Sequence, residues 1–134
     1  MVEHAFDHTD VMTTLVAPPG WPDEVRPPDA PDWERTARGW LLDLCPPDYR
    51  GLPALGRHPL VLARMAVLHV EAGQAATKRG LSEARGALRG VVDAAAVEAA
   101  VETLLHEDAR LGGVRRAVGL VEDALRGRRF RARL

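Results

Sequence analysis

The residues best suited to bind a partner stand at the C-terminus, in the sequence RGRRFRARL. Five arginines surround one aromatic ring there: Arg126, Arg128, Arg129, Arg131 and Arg133, with Phe130. Arginine binds phosphate through paired hydrogen bonds, and an aromatic ring can stack on a base. The sequence therefore predicts a partner-binding tail over residues 127–134, for nucleic acid or for an acidic protein surface. The structural alternative is that these residues stabilise a helix C-terminus through its dipole.

Two aromatic residues and one further arginine complete the predicted partner-binding set. Tyr49 and Arg50 lie in a connecting loop, and loops carry binding residues more often than cores do. Trp21 lies in a proline-rich segment, where it either pins that segment to the helical body or belongs to a free proline-rich ligand. We favour pinning, because a free segment would leave the indole in water. Arg50 also fits an ion pair with Asp43 or Asp48, which would make it structural.

No stretch of the sequence carries a catalytic, metal-binding or nucleotide-binding signature. His4 and His8 have the spacing of two ligands on one helix face, but they lie in a polar N-terminal stretch, so we expect no metal and no cofactor. Cys45 is the only cysteine, and nothing places it beside the base that a nucleophile needs. We expect Cys45 to be a small buried apolar residue, and we do not expect an enzyme.

The elements that must position these residues are helical. Hydrophobic residues make up 46% of the 134 residues and aromatic residues 4%, so the core consists of Leu, Val and Ala, which favour helices. All ten prolines fall at or before Pro59, which leaves the second half free to form long helices. The sequence predicts one all-α domain with helices at about residues 31–45, 59–89 and 94–126.

The two longer predicted helices each carry an apolar stripe at alternating steps of three and four residues, as in helices that pack side by side. The first stripe is Leu60, Ala63, Val67, Val70, Gln74, Thr77, Leu81, Ala84 and Leu88, and the second is Ala100, Leu104, Glu107, Leu111, Val114, Val118, Val121 and Leu125. Gly90 and an Asp93 N-cap mark a turn between them. The fold is thus a long antiparallel hairpin, in which the numbers of facing residues sum to about 184.

Three polar residues interrupt the stripes at one level of this hairpin: Gln74, Thr77 and Glu107. Polar groups inside an apolar seam need hydrogen bonds, so we predict that these residues bond to one another and fix the alignment. A small polar pocket is the alternative. The same pairing sets Gly112 and Gly113 opposite Ala72 and Gly73, which favours close approach of the helices. The alternative is that these small residues leave room for a partner side chain, and a glycine can also kink its helix.

A two-helix hairpin with one short N-terminal helix leaves apolar surface uncovered. We therefore predict that two chains form a four-helix bundle as a dimer, or that another protein supplies the missing helices. The predicted function is a non-enzymatic protein–protein interaction module, as a homodimer or a subunit of a complex. The alternatives are association with nucleic acid or the ribosome through the Arg-rich C-terminus, and a small helical-bundle enzyme or ligand-binding protein.

Charge is unevenly distributed, although the net charge is only -1. Residues 1–34 contain eight acids and one base, and the remainder contains 17 bases and 11 acids. This asymmetry predicts an acidic segment lying on a basic body, or two surfaces for two partners; a solvated tail without a role is the alternative. Residues 1–31 are predicted to be extended and mobile. With no bilayer-spanning run and no signal peptide, we expect a cytoplasmic protein without membrane contact.

The stretch from Asp32 to Ala63 (DWERTARGWLLDLCPPDYRGLPALGRHPLVLA), together with the ending ALRGRRFRARL, resembles short helical proteins of GC-rich actinobacteria. The resemblance extends over most of the chain after Pro18. No activity is assigned to that group, so the resemblance implies an origin and no mechanism.

Overall fold

The computed structural model describes residues 16–131. These residues form helices α1 (Trp33–Asp43), α2 (Pro53–Arg57), α3 (Pro59–Leu88) and α4 (Ala94–Leu125), with a 3₁₀ helix (Pro47–Gly51) before α2. Helices α3 and α4 pack against each other along their length, which confirms the predicted all-α hairpin with a short N-terminal helix. The segment that the sequence predicted as a connecting loop contains two short helices.

The ends of the hairpin are defined by glycines and one cap. The Asp93 carboxylate accepts a hydrogen bond from the Ala96 amide at 2.8 Å, and Gly90 takes the left-handed conformation, with φ 77, that lets α3 stop. At the other end Gly127 has φ 91. There the Arg128 amide donates to the Asp123 carbonyl at 2.9 Å, which is the bond of a Schellman C-cap.

Contacts across the hairpin have the predicted alignment. A Cβ built on Gly73 would lie 3.6 Å from Leu111 Cδ1, and one on Gly80 would lie 3.5 Å from Leu104 Cδ1, so both facing pairs sum to 184. Both helices continue through their glycines without a break. These glycines therefore admit leucine side chains from the facing helix, and they do not kink the hairpin.

The core lies at the open end of the hairpin, under α1. Leu41 of α1, Leu62 and Val67 of α3, and Val118 and Val121 of α4 are fully buried. Burying a side chain of this size contributes about 1.5–3 kcal/mol, so this three-helix contact is the main source of stability. α1 is too short to cover the part of the hairpin nearer its turn.

Residues 16–31 form a series of turns against the helices, and they are not extended as predicted. The amides of Trp21, Val25 and Ala30 each donate to the carbonyl of a proline three residues earlier, at 3.0–3.2 Å. Val25 is 3% exposed and the Trp21 ring lies 6.3 Å from that of Trp33, so the expected pinning is observed. α1 begins two residues later than predicted, because Asp32 has φ 66 and interrupts the helical backbone.

Candidate partner-binding surface

Arg129 in the predicted binding tail is held by the chain itself. Its guanidinium donates to both carboxylate oxygens of Asp29 at 2.8 and 2.9 Å, and also to the Ala124 carbonyl. Its charged carbon lies 5.5 Å from the centre of the Trp33 ring, which is cation–π distance. The hydrogen bond from Arg129 lowers the pKa of Asp29 below its ordinary value. Arg129 therefore ties the C-terminal segment to the N-terminal one.

The other basic residues of the tail divide into paired and exposed ones. Arg126 bonds to Glu122 at 3.3 Å and Arg128 to Asp123 at 2.8 Å. Phe130 is 42% exposed, and Arg131 is exposed and makes no ion pair within residues 16–131. Arg133 lies outside the described residues. Three of the four described arginines near the C-terminus thus have an acidic partner within the chain. The Asp29–Arg129 pair is the kind of contact that the uneven charge predicted, with an acidic segment lying on a basic body.

Trp21 lines a small cleft between the N-terminal segment and α4. The cleft has a volume of about 220 Å³ and is bordered by Pro18, Leu120 and Phe130. The indole N–H of Trp21 donates to the Val25 carbonyl at 2.9 Å. Trp21 is therefore a packing residue with one exposed edge, and its polar group is already satisfied.

Tyr49 and Arg50 are also engaged within the chain. The Tyr49 hydroxyl lies 2.8 Å from His69 Nε2, and the two rings meet edge to face. Arg50 forms an ion pair with Asp43, as its structural alternative proposed. The contact of Tyr49 with His69 has no signal in the sequence, because His69 lies off the apolar stripes and only the fold brings it to Tyr49.

An apolar groove opens between the connecting helices and the start of α3. Its volume is about 450 Å³ and its lining is Tyr49, Leu52, Pro53, Ala54, Leu55, Val61 and Met65. Leu52 is 48% exposed and Val61 is 49% exposed. No sequence pattern indicated this groove, since α2 was expected to be loop.

The predicted polar layer does not form. Thr77 is buried and its hydroxyl donates to the Gly73 carbonyl of its own helix at 2.8 Å. Glu107 accepts two hydrogen bonds from Arg110, one turn further along, and these lower the pKa of Glu107. Gln74 makes no side-chain hydrogen bond among the described residues. The prediction was wrong because a threonine can bond its own helix and a half-exposed glutamate can turn toward a neighbouring arginine.

Polar bonding across the hairpin runs along one flank instead. Four ion pairs join α3 to α4 there: Arg64–Glu122, Glu71–Arg115, Lys78–Asp108 and Arg85–Glu98, at 3.3, 3.0, 2.9 and 2.8 Å. Their α3 members are spaced by seven residues, so they lie on one side of that helix. We call this row the ion-pair ladder. Each charged group of the ladder therefore has a partner of opposite charge within the chain.

The described residues contain no group of three His, Cys, Asp or Glu that could hold a metal ion. His4 and His8 lie outside that part of the chain. Cys45 is buried, and desolvation raises the pKa of its thiol. A buried thiol with a raised pKa is a poor nucleophile, in keeping with a packing role.

Comparison of the chain with protein-family models, with curated proteins and with solved structures yields no match. The resemblance to actinobacterial proteins stays a prediction. No helix within residues 16–131 combines the length and apolar character needed to cross a membrane.

Proposed function

We propose that the chain is a helical protein–protein interaction module that works as a homodimer or as a subunit of a complex. The observation that carries the proposal is the large apolar side chains on the outside of the two long helices. Val61, Leu68 and Leu105 are 49%, 49% and 55% exposed. Scattered apolar residues are common on surfaces, but Val61 also lines the apolar groove, and exposed apolar patches mark interaction sites.

Size-exclusion chromatography with light scattering tests the proposal. We expect a mass near twice the 14.6 kDa of the chain, with dissociation on dilution. A monomer at every concentration, together with no captured protein from the native organism, would contradict the proposal.

Nucleic-acid or ribosome association has less support. Arg126, Arg128 and Arg129 each pair with an acid of the chain, so binding phosphate would require these pairs to break. A salt-dependent affinity for RNA that disappears in an Arg131→Ala variant would favour this alternative.

A further inference from the structure

The large apolar residues that are exposed on the long helices follow one seven-residue repeat. On α3 the repeat is Val61, Leu68, Ala75 and Ser82, and on α4 it is Leu105, Gly112 and Gly119. It includes every large hydrophobic residue that is exposed on α3 or α4. We call these seven residues the apolar flank. Its members are large or very small and uncharged, and the α4 position one repeat nearer the turn is Glu98 of the ion-pair ladder.

The apolar flank lies on one side of the hairpin, beside the ion-pair ladder. Each of its residues stands three positions before a ladder residue, for example Leu68 before Glu71 and Leu105 before Asp108. Residues three apart share a helix face. The N-terminal segment lies on the other side of α4, where it borders Leu120 and Ala124. The fold therefore covers one side of the hairpin near its open end and leaves the α3 residues of the apolar flank and Leu105 exposed. Gly112 and Gly119 are partly covered, and the Arg115 guanidinium lies beside Gly119.

We propose that the apolar flank binds the same flank of a second copy, with the two hairpins antiparallel and α3 against α3, to form a four-helix bundle. The inference rests on the proposed function, because it names the partner and the surface of that interaction. The partner is a second copy of the chain because the large residues of the flank match small residues of the same flank when two copies pack antiparallel. A two-fold axis at Ala75 places Leu68 on Ser82 of the second copy and Leu105 at the level of Gly112 and Gly113 of its α4.

In the same arrangement, the turn of one copy meets the open end of the other copy. Val91 and Val92 in the turn are 78% and 40% exposed, and the apolar groove lies at the far end of α3, where Val61 joins it to the apolar flank. The 30 residues of α3 span about 45 Å at 1.5 Å per residue. Antiparallel pairing about Ala75 therefore brings each turn to the groove of the other copy.

The area of the exposed face agrees with this pairing. Two helices, each about 45 Å long and about 10 Å wide, together present a face on the order of 900 Å². Specific interfaces bury about 800 Å² per partner, so the face is large enough for a stable dimer.

Cysteine cross-linking tests the arrangement in the full chain carrying Cys45→Ala. Ala75→Cys should link to itself with a short bismaleimide, because the two-fold axis passes beside it. The matched control is Ala87→Cys, an exposed alanine on the other side of α3, which should not link. Efficient self-linking at Val91→Cys would mean parallel hairpins and would overturn the inference, because the antiparallel arrangement sets the two turns at opposite ends.

Charge substitutions provide the second measurement. Leu68→Glu and Leu105→Glu should each raise the dimer dissociation constant by more than about tenfold, with unchanged helical circular dichroism because both side chains are exposed. Ala87→Glu should leave it unchanged. A wild-type monomer contradicts the homodimer itself. A wild-type dimer that both flank variants leave intact contradicts only the surface proposed here.

Discussion

Substituting Arg129 with alanine should release the C-terminal segment from the N-terminal segment. Arg129 is the only described residue of the tail that contacts Asp29, and the two are 100 positions apart in the sequence. Its guanidinium also covers Trp33 and bonds the Ala124 carbonyl at the end of α4. The substitution therefore removes three kinds of contact at one point.

The expected loss is about 2 kcal/mol of unfolding free energy. The pair with Asp29 contributes about 0.5–1 kcal/mol, since the Asp29 side chain is 53% exposed and solvent screens it. The cation–π contact adds about 0.5–1 kcal/mol, and the charged hydrogen bond to a carbonyl adds about 1 kcal/mol. With a urea dependence of about 2 kcal/mol per molar, the midpoint should fall by about 1 M.

Urea unfolding followed by circular dichroism measures this loss. A double-mutant cycle with Asp29→Ala should give a coupling of about 0.5–1 kcal/mol between the two residues. The matched control is Arg131→Ala, an exposed arginine of the same segment, which should leave the midpoint unchanged. If Arg129→Ala and Arg131→Ala behave alike, the segment is not anchored and its arginines are free for a partner.

Four further predictions concern the core, a helix cap, the thiol and the stability at low pH. Leu41→Ala should lower the unfolding free energy by about 3 kcal/mol, because Leu41 is 0% exposed; a loss below about 1 kcal/mol in urea would show a looser core. Asp93→Ala should lower it by about 1 kcal/mol, whereas Asp93→Ser should retain most of the stability. Cys45 should react with a thiol reagent at least about tenfold faster in urea than in the native state, because burial raises its pKa; equal rates would contradict burial. The pKa of Asp29 is lowered from 3.8 in the folded state, so the stabilisation that it provides is present above that pH and is lost as the pH falls through the folded value. The stability difference between wild type and Asp29→Asn at pH 7 should therefore shrink below pH 3.8, and a constant difference down to pH 2 would exclude the charge as its cause.

The hairpin could be predicted because helix packing leaves a periodic record in the sequence. Side chains in the seam recur at steps of three and four, and Gly90 with Asp93 marks the turn, so the alignment follows from counting. Periodicity did not predict the hydrogen bonds of Thr77 and Glu107. Periodicity tells which side of a helix a residue occupies, but it does not tell which neighbour a polar group will bond.

No comparable sequence pattern predicts the Asp29–Arg129 contact or the apolar groove. Exposed charges have no required spacing, so the only signal of the Asp29 pair was the acidic N-terminal segment opposed to a basic body. The groove depends on α2, which has only five residues and no apolar period. Its formation depends on how Pro53 and Leu55 meet Val61 and Met65 of α3.

One side of the hairpin is covered by other parts of the chain and the other side is exposed to water, so a partner would bind to the exposed side. On one side the N-terminal segment and α1 bury the small residues near the open end, and Arg129 holds that cover in place. On the other side the ion-pair ladder neutralises the charges beside the seam. A partner approaching that side has no unpaired ladder charge to desolvate, and it gains the burial of Val61, Leu68 and Leu105. Apolar burial would therefore drive the proposed dimer, and a weak salt dependence of its dissociation would separate this surface from one that binds through the arginine tail.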